Sequence, residues 1–283
     1  MFNLQDKVVL ITGAGGGIGA ATARAMHAVG AKVVLLDVTE NAVQELATEL
    51  GPRTLAMFAS VTSREDLDRA VARAVETFGG IDVVFANAGI ACDPPTTIRN
   101  MDEVTFERVV EVDLLGVWRT VRACLPQICA RNGHVLVTSS VYAFVNGVVN
   151  APYAMSKAGV EMFARSLRAE LAGTGATAGV LYPGWVSTAI AQSAFGGNAE
   201  ATELVKLAYP SVLRAPIQPE RIAEAVVKGV QARSARINCP RRWIPISILR
   251  GFFNLLTDWT LDRDKRIQAL IRKMRNNCPA QMN

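Results

Sequence analysis

The sequence predicts an α/β fold, a parallel sheet covered by helices on both faces. Three observations predict it. Short apolar, β-branched runs alternate with helix-patterned stretches along most of the chain. The runs are continuously apolar rather than alternating, as expected of strands buried on both sides. A glycine cluster, TGAGGGIG (12–19), joins the first run to the first helical stretch. Half of the 283 residues are hydrophobic and 19% are charged, enough apolar material for one large domain with a substantial core.

Taken in order, Lys7–Thr12 (KVVLIT) reads as the first strand, Ile18–Val29 as a helix and Lys32–Asp37 (KVVLLD) as the second strand. Helix Asn41–Leu50, strand Thr54–Ala59, helix Arg64–Phe78 and strand Asp82–Ala86 follow. A long helical region spans Asp102–Arg131, with Pro126 near its end. His134–Thr138 (HVLVT) is a strand, Tyr153–Leu171 a helix that Pro152 opens, and Ala176–Leu181 a strand. Residues 187–215 lack a strand pattern and are a candidate lid. Helix Glu220–Ala232 precedes a last strand at Ala235–Cys239. The expected organisation is one domain over residues 1–240 and a helical extension over 241–283.

Composition excludes several classes. The five cysteines are scattered without a C-x-x-C, and the histidines number two, His27 and His134. Neither a disulfide framework nor a metal site is expected, and a reducing cytoplasm is the default. The start, MFNLQDKVVLITG, has no signal-peptide pattern, and no uncharged apolar run is long enough to span a bilayer. The net charge of +5 belongs to the tail: from Arg236 onward there are ten Lys/Arg and three Asp/Glu, against twenty and twenty-two before it. A nucleic-acid surface on the body is therefore not expected.

The strand–glycine–helix arrangement offers unpaired N–H groups and a positive dipole end to a pyrophosphate. Asp37 ends the second strand, eighteen residues past Gly19. An acid there accepts hydrogen bonds from ribose hydroxyls and repels a 2′-phosphate, and no Lys or Arg follows it directly. NAD is expected over NADP. Asp37 also has a plainer reading as a strand-end turn residue or helix cap. Tyr153 and Lys157 stand four apart, so a helix points both tips the same way, as an acid–base pair or an ordinary surface pair.

The chain resembles the single-domain branch of the short-chain dehydrogenase/reductase family. Gly13, Gly17 and Gly19, with Ile18 between the last two, match its glycine pattern, and Asn87-Ala88-Gly89 its Asn-Ala-Gly motif. Ser140, thirteen residues before Tyr153, matches its catalytic serine, and Tyr153 and Lys157 its Tyr-x-x-x-Lys. Pro183-Gly184 with Val186 and Thr188 matches its nicotinamide-contacting segment. The matches run in family order from residue 5 to about 235. The resemblance implies a Rossmann-type doubly wound sheet of about seven strands and a homodimer or homotetramer built on the long helices. It implies Tyr153 as general acid/base, Ser140 as the group orienting the substrate oxygen, and Lys157 as the residue that lowers the tyrosine pKa and holds the ribose. A tyrosine acting near neutrality needs a shift of roughly two to three units from ~10, about 3–4 kcal/mol, which two nearby cations can supply. Ser139 is the rival to Ser140.

Two departures stand out. Asp113 occupies the place of the family's usual asparagine, the fourth member of its catalytic set; it keeps the shape but lacks the NH₂ donors. Ser60-Val61 stands where an adenine-binding aspartate is usual.

Trp185, Phe144, Val145, Ile190 and Phe195 lie beside the matched motifs, with no arginine pair for a carboxylate or phosphate. An apolar secondary alcohol or ketone is expected, steroid-, terpenoid- or lipid-like, with Phe144 and Trp185 among its contacts. The alternative is a non-catalytic dinucleotide sensor or scaffold. In the extension, Leu249, Phe252, Phe253, Leu256 and Trp259 recur at helical spacing, opposite Ser247, Arg250, Asn254 and Asp258. Ile267, Leu270, Ile271 and Met274 form a second apolar face, with Arg266, Arg272, Lys273 and Arg275 elsewhere. Amphipathic helices usually bury against protein, so docking on the body, a cleft cap or a dimer interface is expected first. A peripheral membrane contact by the tail, used in recruitment, is the other reading.

Overall fold

A computed structural model describes residues 1–191 and 198–276, excluding the side chains of Thr257, Trp259, Asp262, Arg275 and Asn276. Seven strands form one parallel sheet: β1 (Val8–Thr12), β2 (Lys32–Asp37), β3 (Thr54–Phe58), β4 (Val83–Ala86), β5 (His134–Thr138), β6 (Thr177–Pro183) and β7 (Arg236–Cys239). Their order is β3-β2-β1-β4-β5-β6-β7. The chain winds outward from β1 to β3, then restarts beside β1 with β4. That reversal leaves a crevice at the carboxyl ends of β1 and β4, where doubly wound sheets take ligands.

The strands' two-residue period divides the core. Val9, Ile11, Val33, Leu35, Val83 and Phe85 face one side. They pack on α1 (Gly17–Ala28), α2 (Glu40–Leu50) and α10 (Pro219–Gln231). Val8, Leu10, Val34, Leu36, Val84 and Ala86 face the other. There they meet α3 (Arg64–Phe78), α5 (Gly116–Ala130) and α6 (Ala151–Glu170). Continuous apolar strands therefore serve two helical layers.

The amino ends of the strands are tied by one carboxylate. Asp82, buried just before β4, accepts from Val8 N at 2.9 Å and from Lys7 Nζ at 3.2 Å. The Arg131 guanidinium donates to both of its oxygens, at 3.1 and 3.2 Å. Burial works to raise this carboxyl, but those donors outweigh it and hold it below its ordinary value.

The long helical region is not uniform. α4 (Glu103–Val110) and α5 are separated by a π-helical turn over Glu111–Leu115, which carries Asp113. The described residues of 187–215 are largely helical, with α7 (Ala189–Ala191), α8 (Ala199–Ala208) and α9 (Ser211–Arg214).

The extension contains α11 (Ile244–Ile248), α12 (Arg250–Arg263) and α13 (Lys265–Asn276). α13 docks as its pattern predicts: Ile267 and Met274 are buried with Ala201 and Leu204 of α8. α12 is the reverse of the expectation. Its polar side faces the body, and Leu249, Phe252 and Leu256 are exposed. The cause is Glu161, a buried carboxylate on α6 that requires a cation. Arg165 pairs with Glu161 at 3.5 Å and Arg250 at 2.7 Å, and the Arg250 pair holds the polar side of α12 inward. Phe253 is half-buried, and the side chain of Trp259 lies outside the described residues. Among the described residues no helix is long and apolar enough to cross a membrane.

Candidate active site

A cleft of about 460 Å³ opens at the carboxyl ends of the strands, within the range of small-molecule sites. The glycine loop forms its floor. Gly13 and Gly17 both have positive φ, +66° and +51°, where a side chain would be strained. A Cβ on Gly13 would also stand 2.8 Å from Ala88 Cα, so the loop packs directly on the Asn-Ala-Gly turn. A Cβ on Gly16 would meet nothing within 4 Å: this is the open side, at the start of α1. α1 has no side-chain cap and no acid in its first turn, leaving its N–H groups for an anion. Asp37 lines the same cleft, receiving Gly15 N and Thr39 N, each at 2.9 Å. Spare lone pairs on its oxygens remain for ribose hydroxyls. These residues fit a nicotinamide dinucleotide.

Asn87 is a tie between strands. Its amide donates to Thr12 O at 3.2 Å, its carbonyl accepts from Thr138 Oγ1 at 3.1 Å, and its N–H reaches Thr12 Oγ1 at 3.0 Å. Gly89 is small of necessity: a Cβ there would lie 3.2 Å from both Lys157 Nζ and Asp113 Oδ2.

Ser140, Tyr153 and Lys157 converge on the cleft wall. The Ser140 hydroxyl accepts from Tyr142 N at 3.2 Å and favours the ionised form of the nearby Tyr153 phenol. Lys157 Nζ lies 5.1 Å from the Tyr153 ring centre, and its ammonium also donates to Thr138 O at 3.4 Å. The serine rivalry resolves by direction. Ser139 is buried and donates to Lys157 O at 2.7 Å, behind the wall, while Ser140 faces the cleft.

Asp113 does not line the cleft but stands behind Lys157. The π turn brings its Oδ2 to 2.9 Å from Nζ, and Oδ1 accepts from Ile90 N at 2.7 Å. Both partners are buried. Burial pushes the Asp113 carboxyl up, against the pull of Lys157. Burial pulls Lys157 down, but Asp113 and Tyr153 outweigh it and hold it raised. With Asp113 ionised the pair carries no net charge, and Tyr153 then feels less positive charge than a lone lysine would give. Burial raises Tyr153 above its ordinary value; Lys157 and Ser140 favour the phenolate, and Asp113 opposes it.

Gly13, Gly17, Ile18, Asp37, Asn87, Ala88, Gly89, Pro183, Gly184, Trp185, Val186 and Thr188 also line the cleft, as does Ile190. Besides Asp113, five expected residues do not. Gly19 is a packing glycine: a Cβ there would fall 1.9 Å from Gly13 O. Ser60 is spent on the start of α3, pairing with Thr62 Oγ1 at 2.8 Å while its N–H donates to Asp66. Val61 is buried against Gly116. Phe144 points into the core, onto Tyr182 and Trp243, and Val145 packs on the same cluster. Phe195 lies outside the described residues. The 3₁₀ turn Val141–Ala143 is the reason: it sends Tyr142 to the cleft and Phe144 inward. Tyr142 was not anticipated. Its ring meets Tyr153 edge-on at 5.9 Å and Trp185 at 6.0 Å. The signal was an aromatic two residues past the serine.

Known proteins resemble the chain in sequence and in fold. A curated relative, an uncharacterized oxidoreductase of Staphylococcus aureus (strain USA300), is 32% identical over 238 residues, 83% of this chain and 96% of that protein. A short-chain dehydrogenase/reductase of Burkholderia phymatum, solved in complex with NAD, superposes with a TM-score of 0.80 at 24% identity, covering 90% of this chain and 96% of the other. The 3-ketoacyl-(acyl-carrier-protein) reductase of Brucella melitensis, solved with NADH, gives 0.74 at 26% identity over 84% and 99%. Residues 7–198 match the short chain dehydrogenase family, and with the seven-stranded sheet and its cleft already described, the chain belongs to that family.

Proposed function

We propose that the protein is an NAD-dependent oxidoreductase interconverting a secondary alcohol and a ketone on an apolar substrate. The observation that carries this reading is the meeting of Ser140, Tyr153 and Lys157 on the wall of a cleft floored by the glycine loop. Bound nicotinamide supplies the hydride acceptor or donor. Tyr153 Oη exchanges the substrate hydroxyl proton. Ser140 Oγ hydrogen-bonds the substrate oxygen and holds it toward Tyr153. Lys157 favours the phenolate and binds the nicotinamide ribose, with Asp113 as the residue that positions it. Because Tyr153 is held above its ordinary value, it is a proton donor to a ketone at neutral pH. Oxidation needs the phenolate and gains with rising pH.

Asp37 supports NAD, since its carboxylate would face a 2′-phosphate with like charge. Gly13, Gly17, Ile18, Asn87, Ala88, Gly89, Pro183, Gly184, Val186 and Thr188 complete the dinucleotide side of the cleft. Tyr142, Trp185, Val141 and Ile190 supply an apolar wall for substrate. Among the described lining residues the sole cation is Lys157, already paired with Asp113. A homo-oligomer is supported by the exposed Leu115, Trp118, Met155 and Met162 on the π turn, α5 and α6.

The test is NADH fluorescence during incubation with NAD⁺ or NADP⁺ and a panel of apolar secondary alcohols. Tyr153→Phe should lower turnover by roughly 10²–10⁴-fold while keeping NADH binding. NAD⁺ binding with no turnover of any alcohol or ketone would instead support a sensor.

A further inference from the structure

We infer that the outward face of α12 docks on an anionic lipid surface. The helix is held by its polar side. Arg250 pairs with the buried Glu161 at 2.7 Å, and the Asn254 amide, oriented to donate, reaches Phe144 O at 2.8 Å. The apolar side is thereby fixed outward. Ile248, Leu249, Phe252, Leu255 and Leu256 are 66, 55, 69, 73 and 52% exposed, five large apolar side chains within nine residues. Soluble surfaces rarely carry such a continuous stripe without a partner.

Charge identifies the partner. Residues 241–283 carry nine Lys/Arg and three Asp/Glu. Arg263 lies on the same helical stripe as Phe252 and Leu256. α13 buries Ile267 and Met274 and leaves Lys265, Arg266, Arg272 and Lys273 exposed, Arg266 paired with Asp264 at 2.9 Å and Lys273 with Glu200 at 3.0 Å. A two-fold contact with a second copy would bring two such basic segments together. An anionic headgroup layer accepts the apolar stripe and the basic residues at once. The stripe also backs the substrate wall: Asn254 holds Phe144, whose ring packs on Trp243, which stacks on Trp185 at 5.6 Å.

The test uses the full chain and needs no turnover, so it is read independently of the oxidoreductase proposal. Co-sedimentation is measured with phosphatidylcholine vesicles and with vesicles containing added phosphatidylglycerol. The protein is expected to pellet with the anionic vesicles and to be released by salt. Replacing Phe252, Leu255 and Leu256 together by serine should weaken partitioning roughly a hundredfold, taking these side chains as half inserted, with the melting temperature unchanged. Wild-type protein that stays in the supernatant with anionic vesicles, or a triple variant that pellets equally, overturns the inference. So does light scattering in the absence of lipid that shows the wild type as a larger assembly than the variant, since the stripe would then join copies of the chain.

Discussion

Replacing Asp113 with asparagine removes the charge behind Lys157 while keeping an acceptor for Ile90 N. Lys157 Nζ is 5.1 Å from the Tyr153 ring centre. With an effective dielectric near 20, an ammonium at that distance favours the phenolate by roughly 3 kcal/mol. Asp113 Oδ2 is 2.9 Å from Nζ, so it lies no farther than about 8 Å from the ring, the sum of the two legs. When ionised it returns at least roughly 2 kcal/mol. Asp113→Asn should therefore favour the Tyr153 phenolate by roughly 2 kcal/mol. The assay is kcat/KM for alcohol oxidation against pH at saturating NAD⁺. Oxidation requires deprotonated Tyr153, so the rising limb should move to lower pH. A limb that stays in place refutes the electrostatic reasoning. A limb that moves upward refutes it too, because Lys157 would then have lost its own proton along with its partner.

Asp37→Asn should raise the preference for NADP⁺ relative to NAD⁺ about tenfold, by removing a repulsion of ~1.4 kcal/mol; titration calorimetry with both nucleotides reads it, and an unchanged ratio would deny Asp37 that role. His134 is buried with its Nδ1 on Thr177 Oγ1, and burial, helped by Arg233 and Arg168, pushes its pKa from 6.5 down to about 3. A depressed base stabilises the fold fully above pH 6.5, and that stability is lost as pH falls, by roughly 2 kcal/mol at pH 5. Urea midpoints of wild type and His134→Asn should converge as pH falls from 7 to 5; parallel curves would contradict the burial argument. Gly19→Ala places a Cβ 1.9 Å from Gly13 O and should cost at least ~1–3 kcal/mol in a thermal melt. Gly16→Ala, with nothing within 4 Å, should change stability by less than about 0.5 kcal/mol.

The strands were legible because both-face burial leaves a plain mark: Val8–Thr12 and His134–Thr138 have no exposed position to carry a polar residue. The shared direction of Tyr153 and Lys157 was legible because helix spacing fixes it, whereas Ser140 was legible only through the family resemblance. Directions across irregular backbone were not. Phe144 and Tyr142 are two residues apart, and only the 3₁₀ turn decides which one reaches the cleft. The π turn that carries Asp113 to Lys157 has no signature in the helical period. Ser60 and Val61 read as cofactor contacts by position, yet the cap of α3 and the packing of Gly116 occupy them. α12 is held in its orientation by a partner 89 residues away, Glu161, and periodicity cannot see such a partner.

The tie at Asp82 has a consequence for how such a chain can diverge. The strands are locked at the edge opposite the chemistry, where Lys7, Val8 and Arg131 meet one carboxylate. Residues at the catalytic edge, such as Tyr142, Trp185 and Ile190, take no part in that lock. Ile190, which is exposed, is free to be exchanged for different substrates while the same framework stays folded, whereas Tyr142 and Trp185 also carry aromatic packing. A library randomised at Ile190 should yield mostly folded members, whereas Asp82→Ala should leave Arg131 and Lys7 without their shared anion and narrow what the framework tolerates.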